Sequence, residues 1–292
     1  MIKVEARAKI NLFLEVTRRR ADGYHDLETL FARIGVADAL SFEKTKEPGI
    51  RLNVKNGPPG LKQEDNIVHK AAVKFFGSFG INPAVEITLK KNIPVGAGLG
   101  GGSSDAAAAL LGLAKLYMLP KAAAGKLMKI AAGLGSDVPF FMLEAGAAQG
   151  YGRGEKLKKI ELAGRLPSIV LVYPGVPVYT KEVYGNLKLG SPAGIRARRA
   201  DFRELSGLLR SGKFTRERAG LLFNRLEEPV LPRHKTVRLA KERLVRLGAD
   251  AVMMSGSGAS VFALCWNKAK AGRVAAKAGR IRGYRVFLTK FC

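Results

Sequence analysis

Cysteine, histidine and acidic side chains are scarce in this sequence, and the first two scarcities each exclude something. The two cysteines, Cys265 and Cys292, show no CxxC spacing, which excludes a disulfide-stapled fold and predicts free thiols. The three histidines, His25, His69 and His234, lie far apart without ligand spacing, so no structural zinc is expected. No apolar run reaches the ~18 residues of a membrane-spanning helix, so no membrane partner is expected. Charges interrupt Met1 to Lys9 where a signal core would be apolar, and the expected localisation is cytoplasmic.

Acidic residues number 24 against 50 Lys plus Arg, a formal net charge of +26. Such a surface concentrates any anion around it, whether ATP, a diphosphate or nucleic acid. The charge is densest at Arg196-Ala197-Arg198-Arg199 and from Arg238 to Arg246, where helical spacing predicts solvated faces. There is no RNP-type aromatic motif, zinc finger or basic zipper, so no sequence-specific nucleic-acid partner is expected. With 47% hydrophobic and 25% charged residues over 292 positions, the chain reads as globular, forming one large or two ordinary domains.

What is present in excess is glycine, in one place. Pro94-Val95-Gly96-Ala97-Gly98-Leu99-Gly100-Gly101-Gly102-Ser103-Ser104-Asp105 follows the alternating strand Val85–Leu89 and precedes an Ala- and Leu-rich helix from Ala106 to Leu116. Strand, glycine loop and helix start make an anion site: unpaired backbone N–H groups and the positive end of the helix dipole face the loop. Ser103, Ser104 and Asp105 are expected to cap that helix. The dinucleotide fingerprint Gly96-x-Gly98-x-x-Gly101 is satisfied only formally, because no acidic residue closes a second strand about 20 residues on. The Walker A pattern fails, since no Lys-Ser/Thr pair follows the glycines and Lys90-Lys91 precede them. A nucleotide-phosphate loop of another type is the better reading.

Along the chain, Ile2–Val16 alternates as a strand pair, and residues 28–51 read as short strands broken at Pro48-Gly49. Lys9 and Asn11 share one strand face; by itself Lys9 reads as a solvated strand residue. Ala21-Asp22-Gly23-Tyr24-His25-Asp26 is a turn presenting a phenol beside an imidazole, either a packing detail or a ligand contact. Helices are expected at Ile67–Phe76, Ala122–Ala132, Phe202–Leu209 and Thr236–Leu247, and a turn at residues 150–155. Asp137, between Gly133-Leu134-Gly135 and Val138-Pro139-Phe140-Phe141, is either a helix cap or a carboxylate set against an apolar wall, poised to accept a proton. Ser168–Tyr173, Ala251–Met254 and Val261–Leu264 read as strands, with a second glycine loop, Ser255-Gly256-Ser257-Gly258-Ala259-Ser260, between the last two. Composition changes near Gly164-Arg165-Leu166-Pro167, the expected domain boundary.

Four stretches together resemble the GHMP kinases, small-molecule kinases named for galactose, homoserine, mevalonate and phosphomevalonate. They are Pro94-x3-Gly98-Leu99-Gly100-x2-Ser103-Ser104; Ala8-Lys9-Ile10-Asn11-Leu12-Phe13-Leu14 with Arg20-Ala21-Asp22-Gly23-Tyr24-His25; Gly135-Ser136-Asp137-Val138-Pro139-Phe140-Phe141; and Met254-Ser255-Gly256-Ser257-Gly258-Ala259. The resemblance implies an α+β fold of two domains with a deep cleft between them, residues 1–163 carrying ATP and catalysis and 164–292 the acceptor. It implies ATP as co-substrate with Mg²⁺, and phosphorylation of the 2-hydroxyl of 4-diphosphocytidyl-2-C-methyl-D-erythritol in the non-mevalonate route to isoprenoid precursors.

The resemblance also distributes roles. Asp137 would take the hydroxyl proton, and Lys9 would keep that carboxylate ionised and favour the developing alkoxide, which requires the two to meet across the cleft. Pro94, Val95, Gly96, Ala97, Gly98, Leu99, Gly100, Gly101, Gly102, Ser103 and Ser104 would hold the ATP phosphates. Tyr24 and Tyr184 would sandwich the cytosine and His25 read its edge, while Asn11, Thr180 and Asp137 would contact the rest of the acceptor. No metal ligand is carried over, although the hydroxyls of Ser103 and Ser104 are candidates. Two positions depart from the family pattern: Arg225 stands where an acidic residue is usual and Ser136 where alanine is common.

Overall fold

A computed structural model describes residues 1–292. The chain opens on two long strands, β1 (Ile2–Arg19) and β2 (His25–Lys44), where shorter strands were expected. From Ala8 to Glu15 every residue of β1 is buried, so the alternation of the sequence does not mark a solvent face there. The turn between the strands closes through Arg20 N–H donating to Tyr24 O (2.8 Å), with Gly23 at φ +82°. Arg20 also pairs with Asp22 and Asp26, which holds the turn's charges together.

In chain order there follow β3 (Gly49–Lys55), α1 (Ile67–Phe79), β4 (Ala84–Lys90), α2 (Gly101–Leu116), α3 (Ala124–Ala132), α4 (Val138–Met142), β5 (Ala147–Gly152) and β6 (Lys156–Ile160). Then come β7 (Ser168–Tyr173), α5 (Thr180–Gly185), α6 (Pro192–Ser211), β8 (Phe223–Asn224), α7 (Glu227–Arg233), α8 (Lys235–Arg246), β9 (Ala251–Met254), β10 (Val261–Cys265), α9 (Lys268–Gly279) and β11 (Arg285–Thr289). The strands form a seven-stranded sheet, ordered β3-β4-β2-β1-β8 with β5 paired to β2 and β6 to β5, and a four-stranded sheet, β11-β7-β10-β9. This is an α+β chain, and none of its helices is long and apolar enough to cross a membrane. Both cysteines are free.

The chain divides into two compact units that interleave in sequence: Met1–Ala8 with Val36–Val95 and Gly100–Glu144, and Lys9–Gly35 with Gly96–Leu99 and Ala145–Cys292. In the first, β2 pairs antiparallel with β4 from Ala39↔Lys90 onward, and β3 lies parallel to β4. Helix α1 starts at Asn66, whose side chain accepts from Val68 N–H, and ends at Gly80, φ +63°. It runs through Gly77, where a stop was expected, because Phe75, Phe76 and Phe79 cluster with Tyr117 and offset the ~1 kcal/mol cost of a helical glycine.

In the second unit, β5 takes the first half of the stretch read as a turn at 150–155, and residues 153–155 form the turn that leads into β6. The glycine there serves packing: a Cβ on Gly150 would stand 2.8 Å from the Phe31 ring and 2.9 Å from Thr29 Cγ2. The four-stranded sheet is antiparallel throughout, and its residues Val170, Val172, Val261 and Ala263 share a core with Val237 and Leu244 of α8 and Val274 of α9. Helix α6 is longer than expected, beginning at a Ser191 cap whose Oγ accepts from Gly194 N–H (3.1 Å). Its basic run is only partly solvated: Arg198 pairs with Asp201 and Arg199 with Glu28.

Candidate active site

The glycine run is held by its carbonyls. Gly96 O accepts from Val178 N–H, Ala97 O from Ser260 N–H and Leu99 O from Lys9 N–H (3.0–3.1 Å). Gly98 O accepts from the Ser255 hydroxyl at 3.0 Å. Gly96, Gly98 and Gly100 take positive φ of 65°, 72° and 68° in alternation with other residues, the backbone pattern of an anion nest. With four successive carbonyls spent, the amide edge is what this loop offers a ligand.

Helix α2 starts inside the run, one correction to the sequence reading. Its N-cap is Gly100, with no side-chain cap, and Ser104 N–H makes the first bond, to Gly100 O at 2.8 Å. The helix therefore leaves the N–H groups of Gly101, Gly102 and Ser103 without intrahelical partners, as an anion-binding terminus requires. Ser104 is no cap: its hydroxyl donates to Arg7 O at 2.7 Å. Asp105 is buried one turn in, tied to Lys91.

Lys91 Nζ bridges two buried carboxylates, Asp38 on β2 and Asp105 Oδ2 at 2.6 Å. Asp38 is also served by the backbone N–H groups of Asn92 and Ile93, whereas Asp105 Oδ1 has no partner. Burial therefore pushes the Asp105 carboxyl up to about 8, against the pull of Lys91 and with the push of Asp38. Although burial alone would lower it, the two carboxylates hold the Lys91 ammonium above its usual value. Between the ordinary aspartate value of about 4 and about 8, the folded state keeps a proton that the unfolded chain loses, so stability falls as pH rises through that window. Asp105→Asn removes this slope, and urea unfolding at pH 5 and pH 8.5 should show the variant gaining on wild type at the higher pH. An unchanged difference would rule the account out.

Lys9 is 4% exposed, not a solvated strand residue. Its Nζ donates to Asn11 Oδ1 at 2.6 Å, Asn11 Nδ2 donates to Thr29 Oγ1 at 2.8 Å, and Thr29 Oγ1 donates to Phe13 O at 2.8 Å. The ammonium also lies 5.5 Å from the Phe31 ring centroid. This chain fixes the rotamers of Lys9 and Asn11 from below, and Thr29 is a member the sequence reading missed. Next to it lies the second glycine loop: a Cβ on Gly256 would stand 3.2 Å from Lys9 Nζ and 3.3 Å from Asn11 Oδ1. Asn224 Nδ2 holds that loop through Met254 O and Gly256 O, both at 2.8 Å, another role not foreseen.

Asp137 occupies the N-cap position of α4, half-buried, beside the buried Val138, Pro139, Phe140 and Phe141. Its side chain makes no capping bond to that helix, which sets aside the cap reading. Thr180 is the first residue of α5 and does not cap either; its hydroxyl hydrogen-bonds Ser257 Oγ at 2.9 Å. The structure brings His25 and Tyr184 together, ring centroids 5.0 Å apart and planes at 31°. Tyr24 is 54% exposed, with the Arg153 guanidinium 4.9 Å from its ring centroid. Burial, aided by Arg19, lowers the His25 imidazole, which at neutral pH is uncharged and carries one donor and one acceptor nitrogen.

Arg225, unusual in sequence, forms a bidentate pair with Glu15: Nε to Oε1 and Nη2 to Oε2, both 2.8 Å. It also contacts Glu228. Glu15 is 1% exposed, so Arg225→Met strands a buried charge and should cost about 3–5 kcal/mol. Adding Glu15→Met should recover much of that loss; a double variant no more stable than the single, by urea unfolding, would show that the pair does not act as a unit.

Family models for the GHMP kinases N-terminal domain and the GHMP kinases C-terminal domain match residues 66–145 and 198–284. A relative named 4-diphosphocytidyl-2-C-methyl-D-erythritol kinase, from Syntrophus aciditrophicus, is 40% identical over 99% of both chains. One of the same name from Bacillus subtilis is 38% identical over 92% of this chain and 90% of its own. The crystal structure of a 4-(cytidine 5'-diphospho)-2C-methyl-D-erythritol kinase superposes with a TM-score of 0.79 at 34% identity over all of both chains. A homoserine kinase from Cytophaga hutchinsonii reaches the same TM-score at 20% identity over 99% of this chain and 94% of its own, a likeness of fold. The chain belongs to the GHMP kinases, in the family of the 4-diphosphocytidyl-2-C-methyl-D-erythritol kinases.

Proposed function

We propose that this protein transfers the γ-phosphoryl group of ATP to the 2-hydroxyl of 4-diphosphocytidyl-2-C-methyl-D-erythritol, a step in the non-mevalonate route to isoprenoid precursors. The observation that carries the reading is full-length identity of 40% to a relative so named. The backbone amides of residues 96–103, with Pro94, Val95 and Ser104 framing them, bind the phosphates. Asp137 accepts the proton of the attacking hydroxyl, and the Lys9 ammonium, oriented by Asn11, favours the alkoxide.

No three Asp, Glu, His or Cys side chains converge into a metal cage. That arrangement suits Mg²⁺ arriving on the ATP phosphates, where it neutralises charge on the transferring group; the hydroxyl of Ser103 is the side-chain donor nearest in sequence to the amides. Tyr24, His25 and Tyr184 hold the cytosine, whose stacking on aromatic rings is worth about 1–3 kcal/mol. Asn11 and Thr180 contact the diphosphate and polyol. Residues 1–163 carry ATP and the reacting groups, and 164–292 complete the acceptor site.

The fold does not choose the acceptor, since a homoserine kinase superposes equally well. Phosphoryl transfer is therefore to be measured with the cytidine substrate, mevalonate and homoserine side by side. Selective turnover of the first is expected, and Tyr184→Ala should raise its KM by about 5- to 150-fold, the loss of one stacked ring. Turnover of a rival acceptor in its place would overturn the assignment.

A further inference from the structure

Nothing in phosphoryl transfer requires a charge of +26, and its distribution is uneven. Asp250 is the last acidic side chain; residues 251–292 contain Lys268, Lys270, Arg273, Lys277, Arg280, Arg282, Arg285 and Lys290 against none. Lys270 is spent on Asp250. Arg273 and Lys277 of α9 and Arg280 at its C-cap are exposed and spaced i, i+4, i+7, which sets them in one stripe about 10 Å from first to last. The opposite face of α9, with Ala271, Val274 and Ala278, is buried in the core. Arg282, two residues beyond Arg280, is exposed as well. Arg243 of α8 donates to Tyr284 Oη at 3.0 Å.

We propose that this face, centred on Arg273, Lys277 and Arg280, docks the phosphate backbone of RNA without reading its bases. A row of unneutralised cations over that length fits consecutive phosphates and releases their counterions. Nothing in the face is suited to base readout, which agrees with the lack of any recognition motif. RNA is favoured over an anionic membrane because the apolar side of α9 is already buried and has nothing to insert into lipid.

The test is fluorescence anisotropy with a mixed-sequence 20-nucleotide single-stranded RNA, from 50 to 300 mM salt. The variants are Arg273→Gln/Lys277→Gln/Arg280→Gln and a control of equal charge, Lys156→Gln/Lys158→Gln/Lys159→Gln, on exposed positions of β6. At about 0.7 per phosphate contact, the first variant should flatten the slope of log K against log salt by about 2 and weaken binding about 100-fold at 0.1 M salt. The control should retain wild-type binding, and both should retain kinase turnover. Equal losses in the two variants would mean a diffuse charge effect and overturn the proposal. So would absence of RNA binding by wild type at 50 mM salt, or tighter binding to phosphatidylserine vesicles that the α9 variant alone abolishes.

Discussion

Asp137→Asn is expected to lower kcat by about 10²- to 10⁴-fold with little change in the KM of either substrate, the range for loss of a positioned general base. Asparagine preserves the shape of the side chain, so the variant should remain folded. Lys9→Ala should also reduce kcat strongly, and it should destabilise the protein as well, because it removes a buried group bonded to Asn11. That difference separates the two roles: one variant inactive but intact, the other inactive and weakened. A transferring phosphoryl group of metaphosphate character asks little of a base, so the result is informative in both directions. A fall of under tenfold for Asp137→Asn, in single-turnover measurements with saturating ATP, would remove proton abstraction from the mechanism.

Gly98→Ala should be the most damaging change in the glycine run. Its Cβ would stand 2.1 Å from Ser255 O and 2.8 Å from Gly258 O, backbone atoms with no side-chain freedom, at φ +72°. Overpacking costs about 1–3 kcal/mol and a left-handed alanine about 1–2 more, so a loss of roughly 2–5 kcal/mol is expected, along with displacement of the second glycine loop. Gly102→Ala makes the comparison. That position is exposed, lies in the first turn of α2, and would bring a Cβ only to within 3.8 Å of Ile67. It should leave stability unchanged or raise it by about 0.4–1 kcal/mol, yet increase the KM for ATP if phosphates approach the amide edge. Calorimetry and steady-state kinetics on the pair distinguish a glycine needed by the fold from one needed by the ligand. Equal stability of both variants would contradict the interlocked geometry of the two loops.

The sequence by itself determined a good deal. The glycine run announced strand, loop and helix, because such a backbone has few other uses, and β7, β9 and β10 were legible as short apolar runs bounded by turn residues. Local chemistry also offers Asp65 or Asn66 as the cap of α1, of which Asn66 serves, and Gly248, at φ +85°, as the stop after α8. The candidate site was nameable only because four motifs, far apart in the chain, resemble one family; spacing alone left Lys9 and Asp137 open.

Tertiary structure decided the rest. Whether Lys9 faced solvent depended on what covers β1, and coverage on both faces is invisible in a strand's own alternation. The glycines at 150 and 152 carry the same local signal as a turn, and only the contact of Gly150 with Phe31 and Thr29 shows why one lies inside a strand. Ser104 and Asp105 had the right chemistry for capping, but Arg7 O and Lys91 claim them first. Thr29, Asn224 and Arg225 gained their functions from partners many residues away: Asn11, the carbonyls of Met254 and Gly256, and Glu15. Short-range steric and hydrogen-bonding preferences can be read along a chain, whereas burial and the choice of a polar partner are set by residues brought near only when the chain has folded.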